Sequence, residues 1–553
     1  MRLRDSIRSR GFSLLLVLAI APMVTSRRPV PILGGNPHRV PISPDRRSHR
    51  SHGGPMPTRR ILRGFPTCIA LLAVIGSGQA ALQGDAEQAI RRSGLERDDV
   101  SICVIDAETG QRLVDINSQV PRIPASNMKL LTSGAAARLL GADYMFKTRL
   151  LLDDDRLVVV GDGDPAFGDS MLLERMVDET GRSLDVESFL SVWVDAVVAD
   201  GTTSIDELIV DDRIFDREYI HPSWPREQLV KRYCAEVSGL MFHRNIIQFL
   251  PRPAAGGSTR ADVTRSRPAV DFLEIRNQVT SDPKKRVTDL FDVQRAYGTN
   301  VFTMRGNVTR PMTPQEVTVH DMPTMFGRIL AERLRNRGVR VESVRLANAD
   351  DPVFEGRTIG PVVMTPLSQV LERCNMDSYN LYAEALLKKL GATYSRSSGS
   401  WENGTTVIRH SVQEHLPRPD PKLKVADGSG MSRSNQVSAA TIAQWLASMD
   451  PSNPSEAVFI ESLPEPGEGT LRNRFQDRGR KLENSRILAK SGYLRRSCTL
   501  SGYVLDDRGR RLCFSILVNT PTNQPKAAKK LHEAVVLDLV EQIERGSLSA
   551  AQP

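Results

Sequence analysis

The chain of 553 residues lacks the patterns that several large classes of protein require. Its nine histidines show no spacing typical of metal ligands, and no glycine-rich loop of the phosphate-binding type occurs. Two apolar runs, residues 12–24 and 65–75, are shorter than the roughly 20 residues that a membrane-spanning helix needs. These absences exclude a histidine-built metal centre, a P-loop nucleotide site and an integral membrane helix.

The chain also lacks a basic binding surface, although its formal net charge is +9. Residues 1–80 contain 13 arginines, no lysine and only two acidic residues, so this leader alone carries +11. The rest of the chain is therefore slightly acidic. Because no cluster of excess basic residues is left, the sequence gives no indication of nucleic-acid binding.

The leader has the form of an export signal. Its second apolar run follows three arginines and ends in GSGQA at residues 76–80, where small residues at 78 and 80 suit cleavage after Ala80. We hypothesise that translation begins at Met56 and that residues 27–58 have no role in folding. The sequence thus predicts an exported protein of the periplasm or cell envelope, with residues 1–80 removed.

Three short motifs, far apart in the chain, together indicate a serine acyl-transfer site. They are SNMK at residues 126–129, SYN at 378–380 and KSG at 490–492. A serine hydroxyl needs a base to accept its proton as it attacks a carbonyl carbon, and Lys129 lies one helical turn after Ser126. Lys129 can act as that base only if burial or a neighbouring cation, for which Lys490 is the candidate, lowers its pKa.

The SYN motif supplies the next two groups. We expect the Ser378 hydroxyl to relay a proton to the leaving amine, and the Asn380 amide to hold either a lysine or the peptide group of the substrate. Taken alone each motif is weak, since a second Ser-x-x-Lys occurs at residues 281–284 and Ser378 also suits a helix cap. Their combination and order favour the catalytic interpretation. A helix is predicted after Asn380, ending at Gly391.

The KSG motif lies on a predicted strand that forms one edge of the cleft. Lys490 and Ser491 are predicted to bind a carboxylate, and Gly492 lets a substrate backbone approach closely. The backbone N–H of Tyr493 is predicted to join that of Ser126 as an oxyanion hole.

Longer segments around these motifs resemble the class C penicillin-binding proteins, which are D-alanyl-D-alanine carboxypeptidases and endopeptidases of bacterial peptidoglycan. The matching segments are PASNMKL at 124–130, GDGDP at 161–165, DGSGMSR at 427–433 with Asn435, and LP at 463–464 with GTL at 469–471. The resemblance covers residues 85–545. Members carry inserted domains before the Ser-x-Asn motif, whereas class A β-lactamases, which share the three motifs, have a far shorter interval there. The 252 residues from Ser126 to Ser378 favour the first family.

The resemblance implies an enzyme that acts on peptidoglycan stem peptides. It would attack a D-Ala-D-Ala amide or a D-amino-acid cross-link, form an ester at Ser126 and hydrolyse that ester with water, without a cofactor. β-Lactams are implied as covalent inhibitors at the same serine, and no partner protein is inferred. The alternative is a non-hydrolytic penicillin-binding or cell-wall-sensing module that keeps the cleft but does not turn over.

Three features depart from the pattern of the family. Tyr379 stands where Asp is common, and we expect its side chain to point away from the reaction centre. Ser491 replaces a threonine and Tyr493 replaces a serine or threonine, which preserves the backbone contact but alters the fit of the substrate. After the Trp-Pro pair at 224–225, where some members place an aspartate for the ammonium group of diaminopimelate, this chain has Gln228, with Glu227 beside it.

The resemblance and the alternation of predicted strands and helices imply an α+β fold of the penicillin-binding, serine β-lactamase-like type, with an antiparallel sheet and flanking helices. Residues 81–144 and 361–553 are predicted to form a discontinuous catalytic domain, interrupted by an inserted region at 145–360. Five cysteines follow the leader, so at least one is a free thiol. Cys498 and Cys513 flank a predicted hairpin turn and are either a disulfide across it or buried thiols, and Cys374 is predicted to serve packing.

Overall fold

The computed structural model describes residues 67–177, 181–255, 259–285, 289–476 and 485–545. Residues 1–66 of the predicted leader, which extends to residue 80, lie outside these ranges, and so does the hypothetical start at Met56. The first described helix, Thr67–Ser93, runs through the predicted cleavage position after Ala80. Within the described ranges, no helix combines the length and the apolar character needed to cross a membrane.

Helices and strands are numbered in chain order. The helices are α1 Thr67–Ser93, α2 Met128–Leu140, α3 Ser170–Leu173, α4 Val186–Ala199, α5 Met322–Asn336, α6 Leu367–Met376, α7 Asn380–Ser395, α8 Trp401–Glu414, α9 Ala439–Ala447, α10 Pro454–Glu461 and α11 Pro525–Glu544. The strands are β1 Val100–Asp106, β2 Arg112–Ile116, β3 Met145–Asp153, β4 Arg156–Val160, β5 Ser204–Asp211, β6 Ile246–Phe249, β7 Ser266–Arg267, β8 Glu274–Thr280, β9 Leu290–Arg295, β10 Val301–Asn307, β11 Gln315–Thr318, β12 Arg340–Leu346, β13 Arg357–Thr358, β14 Val363–Pro366, β15 Ser485–Leu494, β16 Ser497–Asp506 and β17 Arg511–Asn519.

A five-stranded antiparallel sheet, ordered β15-β16-β17-β1-β2, joins the two ends of the chain. Every residue of β1 is buried because both faces of the sheet are covered. Alternate side chains point to opposite faces, so Ile102 and Val104 pack with α1 and α11, whereas Cys103 and Ile105 pack toward α2 and α9. The sheet therefore separates two apolar cores, as expected for an α+β domain.

Helix α2 occupies the centre of the helical core beneath this sheet. Its residues from Met128 through Ala137 are all buried, which is the pattern of a helix enclosed on every side. Gly141 ends the helix, as predicted, with a backbone φ of 90° that favours glycine. Since Ser126 lies just before α2, the nucleophile candidate is anchored to a deeply enclosed helix.

Helix α7 continues past Gly391 to Ser395, so the predicted helix end at Gly391 is wrong. A β-carbon on Gly391 would lie 1.9 Å from Asn403 Oδ1 of helix α8. The glycine therefore permits a close crossing of two helices and does not terminate one. Nothing local in the sequence distinguishes these two uses of a glycine.

The segment between α2 and α6 forms further sheets. Six strands, β12-β5-β4-β3-β13 with β14 also paired to β3, build the largest, and two three-stranded sheets have the orders β8-β10-β9 and β11-β6-β7. Helices α4 and α5 pack with these strands around a third apolar core. The domain boundaries at 144/145 and 360/361 stay a prediction.

The five cysteines beyond the leader are buried free thiols. Cys498 lies opposite Val518, and Cys513 lies opposite Tyr503, so the two cysteines do not face each other across β16 and β17. Burial raises the pKa of the Cys513 thiol to about 12 and that of Cys374 to about 11. The disulfide alternative is therefore wrong, and the buried-thiol alternative holds.

Candidate active site

Ser126 lies in a 3₁₀ turn, Ala125–Asn127, that leads directly into α2. Ala125 has a φ of 45°, an unfavourable value for a residue with a β-carbon. The DGSGMSR segment holds it there, because Gly430 packs so closely that a β-carbon on it would lie 1.8 Å from the Ala125 carbonyl oxygen. The strained turn presents the partly exposed Ser126 hydroxyl beside the fully buried Lys129.

The ammonium group of Lys129 contacts three oxygens that come from three separate parts of the chain. Its Nζ lies 3.3 Å from Ser126 Oγ and 2.7 Å from Asn380 Oδ1. The carbonyl oxygen of Ser429, in the DGSGMSR segment, accepts a third hydrogen bond at 2.9 Å. Burial lowers the pKa of Lys129 from its ordinary value of 10.5 to about 8, against the partial opposing effect of Cys374, Glu384 and Asp427.

Lys490 is the second fully buried lysine of the site. Its Nζ donates to Ser378 Oγ and to the carbonyl oxygen of Ser491, both at 2.9 Å. Burial lowers the pKa of Lys490 well below its usual value, and repulsion from Lys129 lowers it further. The sequence indicates that Lys490 lowers the pKa of Lys129. In the structure, burial is the largest cause of the lowered Lys129 pKa, and repulsion between the two lysines lowers the pKa of Lys490 instead.

The predicted motifs SNMK, SYN and KSG thus meet in one place. The side chain of Asn127 fixes strand β15 against the nucleophile turn, because its Nδ2 donates to the Lys490 carbonyl oxygen at 2.5 Å. A β-carbon on Gly492 would lie 2.8 Å from the backbone nitrogen of Ser126 and 2.3 Å from Thr499 Oγ1. Only glycine allows β15 to run this close to the backbone N–H that is the oxyanion-hole candidate.

Ser491 and Tyr493 alternate along β15 with Lys490 and Gly492, and so they lie on the opposite face of the strand. Tyr493 is half exposed, and its hydroxyl exchanges hydrogen bonds with the Asn523 side chain at 3.0 and 3.3 Å. The part of its backbone N–H in an oxyanion hole stays a prediction. Ser491 is partly exposed and remains the candidate for a substrate carboxylate.

Sequence reasoning missed a buried carboxylate that supports the site. Glu384 lies one helical turn after Asn380, and its oxygens accept from the backbone N–H of Gly428 at 2.9 Å and of Ser429 at 2.8 Å. The Trp401 indole donates to the same group at 2.9 Å. Burial and the neighbouring Asp427 raise the pKa of Glu384 to about 7. An acidic residue inside the apolar run at residues 381–387 was the available signal.

The departures from the family pattern border the same site. Tyr379 points away from Ser126 into a group of arginines, as expected. On the open side, Asn380 Nδ2 donates to the Tyr233 carbonyl oxygen at 2.8 Å, and the Tyr233 hydroxyl lies 3.3 Å from Gln228 Oε1. Gln228 is therefore linked to Asn380 indirectly, through Tyr233. The neighbouring Glu227 has an exposed side chain.

The GDGDP segment has a structural role. Asp162 pairs with Lys389 and accepts from the backbone N–H of Lys147 at 3.0 Å, while Asp164 accepts from Thr365 Oγ1 at 2.5 Å. Gly163, with a φ of 70°, packs against the Phe215 ring. The segment ties the start of the inserted strands to α7. Among the described side chains, no cluster of three or more histidine, cysteine or acidic groups is arranged to hold a metal ion.

Comparison with known sequences identifies the family. The family model of the D-Ala-D-Ala carboxypeptidase 3 (S13) family matches residues 82–540, which include all three motifs. The chain belongs to the S13 family. The predicted enzyme class, a serine-type D-Ala-D-Ala carboxypeptidase, is therefore confirmed.

Relatives of this S13 member include bacterial carboxypeptidases. It is 28% identical over 496 residues to the D-alanyl-D-alanine carboxypeptidase of Actinomadura sp. strain R39, covering 85% of this chain and 87% of that protein. It is 22% identical over 437 residues to the D-alanyl-D-alanine carboxypeptidase DacB of Haemophilus influenzae, covering 77% and 86%. The crystal structure of penicillin binding protein 4 (dacB) from Haemophilus influenzae has a TM-score of 0.64 at 19% identity and covers 80% of this chain and 96% of that one. The predicted fold class is thereby confirmed.

Proposed function

We propose that this S13 member cleaves the terminal D-Ala-D-Ala amide or a D-amino-acid cross-link of peptidoglycan stem peptides through an acyl-enzyme at Ser126. The observation that carries the proposal is a set of two serine–lysine contacts, Ser126 with Lys129 and Ser378 with Lys490. The side chain of Asn127 joins the two pairs by donating to the Lys490 carbonyl oxygen. Asn380 supports this role because its side chain bonds Lys129 from the opposite side.

In the acylation step, Ser126 Oγ attacks the carbonyl carbon and transfers its proton to the neutral amine of Lys129. The 3.3 Å separation of these atoms is at the long end of the hydrogen-bond range, and contacts of this kind tighten when a substrate binds. Negative charge develops on the carbonyl oxygen, and the backbone N–H groups of Ser126 and Tyr493 would stabilise it as an oxyanion hole. The DGSGMSR segment contributes by holding both the Ser126 turn and Lys129.

The leaving amine must receive a proton before the C–N bond breaks. Ser378 is our candidate for this relay, because its hydroxyl accepts a hydrogen bond from Lys490 and so can donate its own proton to the leaving nitrogen. The proton that Lys129 took from Ser126 then replaces the one that Ser378 gave away, which leaves Lys129 neutral for the next step. The terminal carboxylate of the substrate would bind beside Lys490 and Ser491. Water then hydrolyses the ester, with Lys129 returning to its role as base, and no cofactor is needed for either step.

We further propose that β-lactams acylate Ser126, because their strained amide presents the same carbonyl to the same nucleophile. The Haemophilus influenzae structure similar in fold to this chain was also solved in complex with a novel β-lactam. Peptidoglycan as substrate requires export, which agrees with the signal-like leader and indicates the periplasm or cell envelope. On this view residues 81–144 and 361–553 form the catalytic domain, and 145–360 form an insertion that borders its cleft.

The test uses purified protein lacking residues 1–80, fluorescent penicillin and muropeptides. We expect a stable penicillin adduct, located at Ser126 by mass spectrometry, together with release of D-alanine or cleavage of cross-links. Ser126→Ala should lose both signals while its circular dichroism spectrum is unchanged, and Ser281→Ala, in the second Ser-x-x-Lys motif, should keep both. An adduct at another residue would refute the assignment, and penicillin binding without turnover would favour the sensing alternative.

A further inference from the structure

The central residue of the SYN motif lies between two residues that contact the buried lysines. Ser378 accepts from Lys490, and Asn380 accepts from Lys129, so Tyr379 is in a position to set the geometry of both. Ser378 has a φ of 60°, a conformation that residues with a β-carbon adopt only when their surroundings impose it. Contacts on either side of Ser378 must therefore hold this turn.

On one side, the turn is held by Arg373 of helix α6. This fully buried guanidinium pairs with Asp377, the residue before Ser378, and also with the fully buried Asp169 at 2.9 Å. The same guanidinium lies 4.7 Å from the centre of the Tyr379 ring. Arg373 thus contacts the residues before and after Ser378.

On the other side, the turn is held from within the segment that separates the SNMK and SYN motifs. Arg244 Nη1 donates to the Tyr379 hydroxyl at 2.8 Å, and Arg232 Nη1 approaches the same oxygen at 3.3 Å. Arg244 is 3% exposed and is itself fixed by Asp169 at 3.2 Å and Glu316 at 2.9 Å. A buried arginine with two carboxylate partners and one phenol is a rigid anchor for that phenol.

The backbone around Arg244 is strained in a way that serves this contact. His243, Arg244 and Asn245 have φ values of 49°, 59° and 53°, three consecutive left-handed residues with β-carbons. The Asn245 side chain holds the turn, accepting from the Phe242 N–H at 3.0 Å and donating to the Glu236 carbonyl oxygen at 2.7 Å. Strain of this kind persists where the surroundings over-determine it and is concentrated at functional sites.

We propose that Tyr379 and Arg244 are positioning residues for the acyl-transfer reaction. The Arg244–Tyr379 contact, delivered by the strained turn His243–Asn245, fixes Ser378 against Lys490 and Asn380 against Lys129. The inserted segment is then a functional part of the active site, connected to it through the Tyr379 phenol as well as through the Tyr233 carbonyl oxygen that accepts from Asn380. This inference rests on the proposed roles of Ser126, Lys129 and Ser378.

The test measures acylation by fluorescent penicillin over a range of concentrations, so that the first-order acylation rate constant is separated from the noncovalent dissociation constant. Tyr379→Phe, which removes only the hydroxyl, should lower the acylation rate constant about tenfold and leave the dissociation constant within about twofold, because small displacements of catalytic groups are costly. Tyr219→Phe is the matched control, because its hydroxyl bonds Asp212 at 3.1 Å and no residue of the site.

Arg244→Lys should lower the acylation rate constant by a similar factor, since an ammonium group cannot bond Asp169, Glu316 and Tyr379 together. The double variant Tyr379→Phe with Arg244→Lys should be no slower than the slower single variant, because both changes break one contact. Wild-type rates in both single variants, or a double variant whose loss is the product of the two, would overturn the inference. If instead the wild-type protein is not acylated at Ser126, the proposed function fails, and the two failures are distinguished by that one measurement.

Discussion

The rate of acylation should depend on pH through the protonation state of Lys129. The pKa lowering from 10.5 to about 8 corresponds to about 3 kcal/mol against the charged form. With a pKa near 8, about one lysine in ten is neutral at pH 7, compared with about one in 3,000 for an unperturbed lysine. Since only the neutral amine accepts the proton of Ser126, the acylation rate constant should rise about tenfold from pH 7 and level off above about pH 9.

The assay is stopped-flow acylation with fluorescent penicillin from pH 5.5 to 10, with circular dichroism at each pH to confirm that the fold is intact. Lys129→Met should abolish the pH-dependent acylation. Lys284→Met, in the second Ser-x-x-Lys motif, is a matched control because Lys284 is exposed, and it should retain the wild-type profile. An acylation rate that still rises with pH near pH 10, or normal acylation by Lys129→Met, would show that a buried neutral lysine is not the base.

Two further variants test the support of the site. Gly492→Ala places a methyl group 2.8 Å from the Ser126 nitrogen, so we expect the acylation rate to fall about 10²-fold as the oxyanion hole is displaced. The control is Gly84→Ala, whose added methyl group has no atom within 4 Å and should leave the acylation rate unchanged. Equal rates for the two variants would contradict the geometry. Glu384→Gln removes a negative charge that raises the pKa of Lys129, so the rise of the acylation rate with pH should move to lower pH. Urea unfolding should show a free energy of unfolding lower by about 1–3 kcal/mol, because a side-chain amide replaces a carboxylate that accepts from three N–H groups. The exposed Glu402→Gln is its control, and an unchanged rise of the rate with pH in Glu384→Gln would refute the electrostatic argument.

The reacting groups were predictable from sequence because the chemistry restricts them to a few residue types at fixed spacings. Ser126 and Lys129 must share a helical turn, and the KSG strand must leave room beside a nucleophile. Both motifs can therefore be recognised from a few consecutive residues. Glu384 and Arg244 were not predictable in the same way, since their partners lie 45 and 135 residues away in the chain. The helix end predicted at Gly391 was wrong for the same reason, because the packing partner Asn403 belongs to another helix.

The surroundings of the two buried lysines give a physical reason for the choice of their neighbours. In the described part of the chain, the acceptors of the Lys129 and Lys490 Nζ atoms are all uncharged oxygens, from an amide, two hydroxyls and two backbone carbonyls. A carboxylate in direct contact would stabilise the ammonium form and raise the pKa of the base. Glu384 and Asp427 instead accept hydrogen bonds from the backbone and side chains that orient the site. Their charges therefore act on Lys129 without direct contact, since the uncharged oxygens lie between. The site thereby positions two amines firmly without keeping both of them protonated, which is what a lysine base requires.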